Sequence, residues 1–343
     1  MGVKLNMRFF KYFSIAVLIL VAALIWRHRS SDYQVLSGKI FGTYYSIKVR
    51  TPYKIRDFAP IVEREFALVN RQMSVFEPDS ELNRINRAPN GKWIEIPAEL
   101  YRLLADSQTI YRQSGGAFDP TVGPLVSLWG FGPGGKQKIP EDKEVKSTLK
   151  RIGFNKIKLK KPNMLMKTDA FVSLDLSAIA KGYAVDVISN RLKELGYADF
   201  IVDIGGEVYA SGSRAEGESG WNIGIAEPEE GQNKNLMSLG LTDMAVATSG
   251  NYRNFYYVDG KRYSHTISPQ TGYPAEDNLL SASVFDRSCE KADAYATAIM
   301  AMGEKRGLVF ANKHNLTAIL FVRGSNGEID KLYSEQAQKL LGE

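Results

Sequence analysis

Strand-like and helix-like segments follow one another along this chain without a regular strand–helix–strand repeat, and that succession constrains its fold most. "KIFGTYYSIKVR" (39–50) alternates as a strand does. "DFAPIVEREFALVNRQMS" (57–74) then sets Phe58, Ile61, Val62, Phe66, Val69 and Met73 at helical spacing, with Asp57 as the expected N-cap. A further helix begins at Pro97 and is stopped by Gly115 and Gly116. Another runs from Leu176 to Gly196, and one capped by Ser288 runs through Met302 to Gly303. "FIVDIGGEVYASG" reads as two short strands around a glycine pair, and "WNIGIAEP", "MAVATSG", "LLSASVFD" and "LTAILFVR" read as more strands. An α+β body follows from this mixture, not a doubly wound one. "AFDPTVGPLVSLWGFGPGGKQ" (117–137) is dense in Gly and Pro and reads as a long structured loop, a kind of segment more often functional than idle. No repeat, low-complexity tract or linker divides residues 31–343.

Residues 1–30 are different in kind. "FFKYFSIAVLILVAALIW" (9–26) contains an unbroken apolar or small run from Phe13 to Trp26, which Phe9, Phe10 and Tyr12 extend to roughly the 17 residues a membrane helix needs. Lys4, Arg8 and Lys11 precede it, which orients the N-terminus to the cytoplasm. Three readings are open: an uncleaved anchor, a cleaved signal peptide, or a buried core helix. No small-x-small cleavage site precedes Trp26, which favours the anchor, and charges on both flanks disfavour the core helix.

The formal charge of +6 owes much to this terminus, and the remaining basic residues are interspersed with acidic ones, so nucleic acid is not an expected partner. One cysteine, Cys289, excludes an internal disulfide framework, and three histidines leave no basis for a His-rich zinc site.

Polar residues inside apolar helical segments are the candidates for chemistry. Asp293 and Thr297, one turn apart in "EKADAYATAIM", share a helix face at about 6 Å and make a fitting oxygen pair for Mg²⁺, although a solvated Asp and a back-bonded Thr fit equally. In "DLSAIAKG", Ser177 is positioned to cap a helix whose free N–H groups attract phosphate, and Lys181 can reach the same anion; a local Asp175–Lys181 ion pair is the competing reading. Gly205 and Gly206 permit either close ligand approach or simply a tight turn, and the pattern is no dinucleotide fingerprint. His265, in "YSHTISPQTGYP", can act as a base near neutrality or be structural.

"MSVFEPDSELNRIN", "GGAFDPTVGPLVSLWGFGP", "DLSAIAKGYAVD", "DIGGEVYASG", "ATSGNYRNF", "HTISPQTGYP" and "ADAYATAIM" occur in this order between about Gly38 and Met302. In these stretches the chain resembles the ApbE family of FAD:protein FMN transferases. The resemblance implies a single ApbE-like (T-fold-like) catalytic body over residues 31–343, preceded by the membrane segment. It also implies Mg²⁺-dependent cleavage of FAD as substrate, with FMN moved to a Ser or Thr hydroxyl of a target protein and AMP released. It carries metal ligation to Asp293, Thr297 and the Ala178 carbonyl, and FAD contact to Ala117, Phe118, Asp119, Asp175, Lys181 and Ile267. The family usually has Met-Gly-Thr where Phe41-Gly42-Thr43 stands, and Met-Ser-Thr-Tyr where Met73-Ser74-Val75-Phe76 stands. Phe41 and Phe76 keep a surface for stacking on the cofactor, and Phe76 lacks the hydroxyl. Many bacterial members are lipoproteins; no cysteine stands near residue 26, so a protein anchor is expected.

Phosphoryl transfer depends chiefly on charge placement and alignment, which Mg²⁺ and Lys181 can supply. His265 is the first candidate to take the hydroxyl proton and Asp175 the second. By the resemblance, the acceptors are membrane electron-transfer subunits of NADH:quinone oxidoreductase type, and the catalytic body sits on the periplasmic side of a bacterial inner membrane. Two other classes remain: a Mg²⁺-dependent FAD pyrophosphatase giving free FMN and AMP, and a flavin carrier that leaves FAD intact. The Asp293–Thr297 pair disfavours the carrier.

Overall fold

The computed structural model describes residues 33–51, 58–132, 137–226, 228, 235–251, 255–275, 278–325 and 327–342. The apolar run 9–26 and Asp57 lie outside the described residues, among which no helix is long and apolar enough to cross a membrane. The centre is one antiparallel sheet whose eight strands lie side by side in chain order. They are β1 (Tyr33–Ile40), β2 (Thr43–Arg50), β3 (Phe200–Ile204), β4 (Glu207–Ser211), β5 (Met244–Gly250), β6 (Leu279–Asp286), β7 (Thr317–Arg323) and β8 (Ile329–Tyr333). The principal helices are α1 (Ala59–Met73), α2 (Ala98–Gln113), α3 (Ala180–Glu194), α4 (Cys289–Met302) and α5 (Glu304–Lys313). Mixed α+β architecture is thus as the sequence implied.

The period of two along each strand sorts the core into two layers. Tyr209, Ala245, Ala247, Ala282 and Val284 face α3, α4 and the rest of the main core. Val208, Ala210, Val246, Phe285 and Phe321 face the other way, onto the ribbon Trp221–Ala226 with Asn235–Leu241 and the last helix, Glu335–Leu341. α4 is the central helix. Ala292, Ala294, Ala296 and Ala298 are all fully buried, and their small side chains let it lie against α3, β5 and β6 at once.

Three expectations change. The segment 39–50 is not one strand: Phe41 and Gly42, at φ 51° and 73°, turn β1 back into β2. Part of the presumed loop 117–137 is a helix, Gly123–Leu128; Pro124 sits in its first turn, where its missing N–H costs nothing. α3 begins at Ala180, not Leu176, because residues 176–179 form a separate turn.

Candidate active site

The Phe41–Gly42 turn, the Gly205–Gly206 turn and the end of β5 meet at one end of the sheet. Two cavities of about 370 and 430 Å³ adjoin there, the size of small-molecule sites. Val75, Phe76, Ser177 and Lys181 border both.

The sheet supplies the floor. Gly205 has φ 66°, and a Cβ on it would stand 2.8 Å from Thr43 Cγ2, so only glycine lets β3 turn this closely beside β2. Directly after the turn, Glu207 has the same strand parity as Tyr209 and therefore faces the helix layer. Its carboxyl is 2% exposed and its Oε1 accepts from Lys181 Nζ at 2.6 Å. The Lys181 side chain keeps about a third of its surface, 32%, open to the cavities it borders.

The helices supply the walls. Gly182 packs so closely on α4 that a Cβ would lie 2.3 Å from Cys289 O. Its N–H donates to Asp293 Oδ2 at 3.1 Å. That donation diverts the N–H from the helical i→i−4 bond to Ala178, whose carbonyl is left available beside the cavity. Asp186 of α3 caps α4, accepting from Cys289 N (2.8 Å), Glu290 N (3.1 Å) and Ser288 Oγ (2.9 Å). Arg102 of α2 grips Glu290 with two bonds of 2.7 and 2.8 Å. One turn beyond Asp293, Thr297 Oγ1 lies 3.2 Å from Ser249 Oγ of β5.

Loops close the rim. Ser74 Oγ accepts from Phe76 N and Glu77 N, while Asn83 Nδ2 donates to the Val75 and Glu77 carbonyls, so the Phe76 loop is held rigidly with its ring 70% exposed. Asn86 bonds both backbone groups of Leu174, at 2.7 and 2.9 Å, and Asp175 N donates to Pro120 O at 2.7 Å; together they fix Asp175 against the Asp119 loop. Phe41 adopts a left-handed backbone that bulky residues avoid and lines the second cavity, edge-on to Phe66. His265 and Ile267 begin the loop that folds back through Ile267–Pro274, which Trp129 Nε1 holds at Gly272 O. Ile267, Ala117 and Phe118 are core residues, no more than 4% exposed, that present one edge to the cavity.

Burial dominates the electrostatics. It pushes Asp293 above the ordinary carboxylate range against the pull of Lys181 and the Gly182 N–H. Glu207 is raised likewise by burial, which Lys181 opposes and Asp293 reinforces. Burial works against the Lys181 charge, but Glu207 and Asp293 outweigh it and hold its pKa above the ordinary value. Asp119 is pushed up to about 6 by burial, tempered by bonds from Thr121.

The family's Mg²⁺ can be tested against these residues. Among the described residues no group of three or more His, Cys, Asp or Glu is arranged to hold a metal. The donors here are one carboxylate (Asp293), one hydroxyl (Thr297) and one carbonyl (Ala178), all hard oxygens. That set fits a Mg²⁺ that completes its shell with water and substrate phosphate. A bound dication would also favour the ionised forms of Asp293 and Glu207 against the burial that opposes them.

Every candidate site residue borders one of the two cavities: Phe41 the second, Phe76 and Lys181 both, and Ala117, Phe118, Asp119, Asp175, Ala178, His265, Ile267, Asp293 and Thr297 the first. Two local readings are corrected. Ser177 does not cap α3; its N–H and hydroxyl both bond Asp175 Oδ1, at 2.9 and 2.6 Å. Lys181 pairs with Glu207 instead of Asp175, because α3 packs on the sheet face to which Glu207 of β4 points. Glu207, Ser249, Asn83 and Asn86 carry no motif signal of their own in the sequence; Glu207 shows only the strand parity it shares with Tyr209.

Over residues 41–321 the sequence matches the ApbE family. The FAD:protein FMN transferase of Vibrio cholerae is 36% identical over 296 residues, spanning 85% of this chain and 88% of that protein. The solved structure of flavin transferase ApbE from Vibrio cholerae superposes with a TM-score of 0.82 at 33% identity, covering 90% of this chain and 99% of that one. That of Pseudomonas stutzeri flavinyl transferase ApbE in its apo form gives 0.83 at 33% identity, over 91% and 98%.

Proposed function

Because the chain belongs to the ApbE family, we propose that it is an FAD:protein FMN transferase that moves FMN from FAD to a Ser or Thr hydroxyl of target proteins through a phosphoester bond. The observation that carries this reading is Lys181. A dinucleotide is two bulky ends joined by a pyrophosphate, and Lys181 is the cation that borders both adjoining cavities, fixed by Glu207 at 2.6 Å.

With the pyrophosphate beside Lys181, the ammonium offsets charge that builds on the phosphoryl oxygens. Exposed Phe76 offers a ring face at the junction, and Phe41 an apolar edge in the second cavity. His265 takes the proton of the incoming hydroxyl as its oxygen bonds the FMN-side phosphorus and the bond to AMP breaks; Asp175 is the second candidate for that proton. Asp293, Thr297 and the Ala178 carbonyl would hold Mg²⁺, which when bound neutralises pyrophosphate charge. Residues 9–26 would anchor the protein in a bacterial inner membrane with the body in the periplasm, facing acceptor subunits of NADH:quinone oxidoreductase type.

Mass spectrometry of a co-expressed acceptor subunit tests the reading, with an FMN-phosphoryl adduct on Ser or Thr expected. Release of FMN and AMP from FAD with no adduct on the acceptor would make the protein a pyrophosphatase instead. Cell fractionation tests the anchor: a soluble product starting near Ser30 would mean a cleaved signal.

A further inference from the structure

Glu207 uses only half of its carboxylate on Lys181. Oε1 receives the ammonium, whereas Oε2 is buried with no hydrogen-bond partner among the described residues. The residue is 2% exposed, its position is fixed by the Gly205–Gly206 turn, and it borders the first cavity with Ser249, Asp293 and Thr297. A buried polar atom without a partner is rare in a folded protein and calls for a specific explanation. Here a missing ligand group supplies one, because the side chain lies at a cavity wall.

The chemistry of Oε2 selects that group. In the ionised form, which Lys181 favours against burial, Oε2 repels a phosphate, whose oxygens are acceptors of the same charge sign. The protein's nearby cation is already on Oε1. A hydroxyl fits: it donates a proton to a carboxylate and forms one of the short, strong bonds of that class.

Resting on the transferase reading, we propose that Glu207 Oε2 is the anchoring point for a reactant hydroxyl while Oε1 holds Lys181. One carboxylate then fixes the cation beside the pyrophosphate and the hydroxyl next to it. Two reactants bring hydroxyls to this cavity, FAD on its sugar-derived chains and the acceptor protein on its Ser or Thr.

Glu207→Gln separates these sources. The variant keeps the side-chain shape and can still meet Lys181 through its carbonyl oxygen, but offers the hydroxyl an amide N–H₂ to accept from, a neutral bond in place of the charge-assisted one. FAD affinity is measured by flavin fluorescence without acceptor, and FMN transfer is measured at saturating FAD and Mg²⁺ to an acceptor subunit of NADH:quinone oxidoreductase type. If the hydroxyl belongs to FAD, the Kd for FAD rises about 5–10-fold, as for a charge-assisted bond reduced to a neutral one. If it belongs to the acceptor, FAD affinity holds and transfer falls by that factor. Unchanged affinity and unchanged transfer overturn the proposal. So does a defect present at limiting Mg²⁺ and absent at saturating Mg²⁺, which would make Oε2 a cation ligand.

The double variant Glu207→Gln/Lys181→Met, compared with Lys181→Met, removes both charges of the pair and covers the case in which the single variant fails to fold. A further loss on adding Glu207→Gln is expected; no further loss means Glu207 acts only through Lys181 and overturns the proposal. Wild-type protein assayed in parallel keeps the two hypotheses apart. A wild type that never transfers FMN refutes the transferase reading, whereas a competent wild type beside an equally competent Glu207→Gln refutes this inference alone.

Discussion

Gly182→Ala is the sharpest probe of how the site is built. The added Cβ would stand 2.3 Å from Cys289 O, 2.7 Å from its carbonyl carbon and 2.8 Å from Glu290 Cα, all backbone atoms of α4 that cannot rotate away. Carbon–oxygen contacts rest near 3.3 Å, so α3 and α4 must part by about 1 Å. Overpacking of this kind costs about 1–3 kcal/mol, and stretching the Gly182 N–H bond to the Asp293 carboxylate costs about 1.5–3 more. Alanine's better helix propensity returns at most about 1 kcal/mol, so destabilisation wins by about 1.5–5 kcal/mol. In a protein of 343 residues, where 1 kcal/mol moves Tm by about 1.4 °C, that lowers Tm by roughly 2–7 °C. Parting the helices also separates Lys181 on α3 from Asp293 on α4, and a 1 Å misplacement in a catalytic array costs about 100-fold in rate. Differential scanning fluorimetry gives the first quantity. Transfer to an acceptor subunit, assayed well below the variant's own Tm, gives the second. Wild-type Tm together with a wild-type transfer rate would refute the close-packing argument, since nothing else in it is adjustable.

Arg102→Met leaves the Glu290 carboxylate, 3% exposed, without its bidentate partner; because Arg102 is half exposed the loss should be nearer about 2 kcal/mol than the 3–5 of a fully buried pair, read by urea unfolding and largely recovered in Arg102→Met/Glu290→Gln. Asp119, raised by burial to about 6 in the fold, makes the folded state hold a proton that the unfolded state releases between about pH 4 and 6, so its contribution is present below that window and lost as pH rises through it. Asp119→Asn should therefore gain Tm relative to wild type from pH 4 to 6 and run parallel above; a constant difference would contradict the shift. His265→Ala should slow transfer about 10²–10⁴-fold and remove the acidic limb of the pH–rate profile, where a base takes up its proton; parallel losses of FAD affinity and Tm with an unchanged profile would make His265 structural.

Periodicity made α1 legible because it buries a stripe: Val62, Phe66, Val69 and Met73 are the residues its spacing singles out, whereas α4 is buried on nearly every face and showed instead as an apolar run between Ser288 and Gly303. The β1–β2 turn was illegible for the converse reason. Phe41 at φ 51° is a poor residue for a left-handed turn, so the local sequence argues against the conformation that neighbouring strands impose. Gly123–Leu128 was hidden by its composition, since Gly and Pro that break a helix interior are harmless in its first turn. Lys181 and Glu207 lie on different elements, and no spacing rule joins a residue at the start of a helix to one at the start of a strand two elements later.

The polar residues inside α3 and α4 divide into two kinds that look alike in a sequence. Asp186 accepts three bonds, and Glu290 binds Arg102 through both oxygens; their partners are all protein, and their effect is to lock one helix against the other. Lys181 keeps surface toward both cavities, and its partner Glu207 keeps an oxygen with no bond. Leaving a buried group incomplete costs stability, and a fold tolerates that where a ligand completes the set. The locked pairs make this incompleteness possible: Asp186 holds α4 on α3 and Arg102 holds it on α2, so the helices cannot shift to complete the bonding of Glu207, and its second oxygen stays poised at the cavity wall.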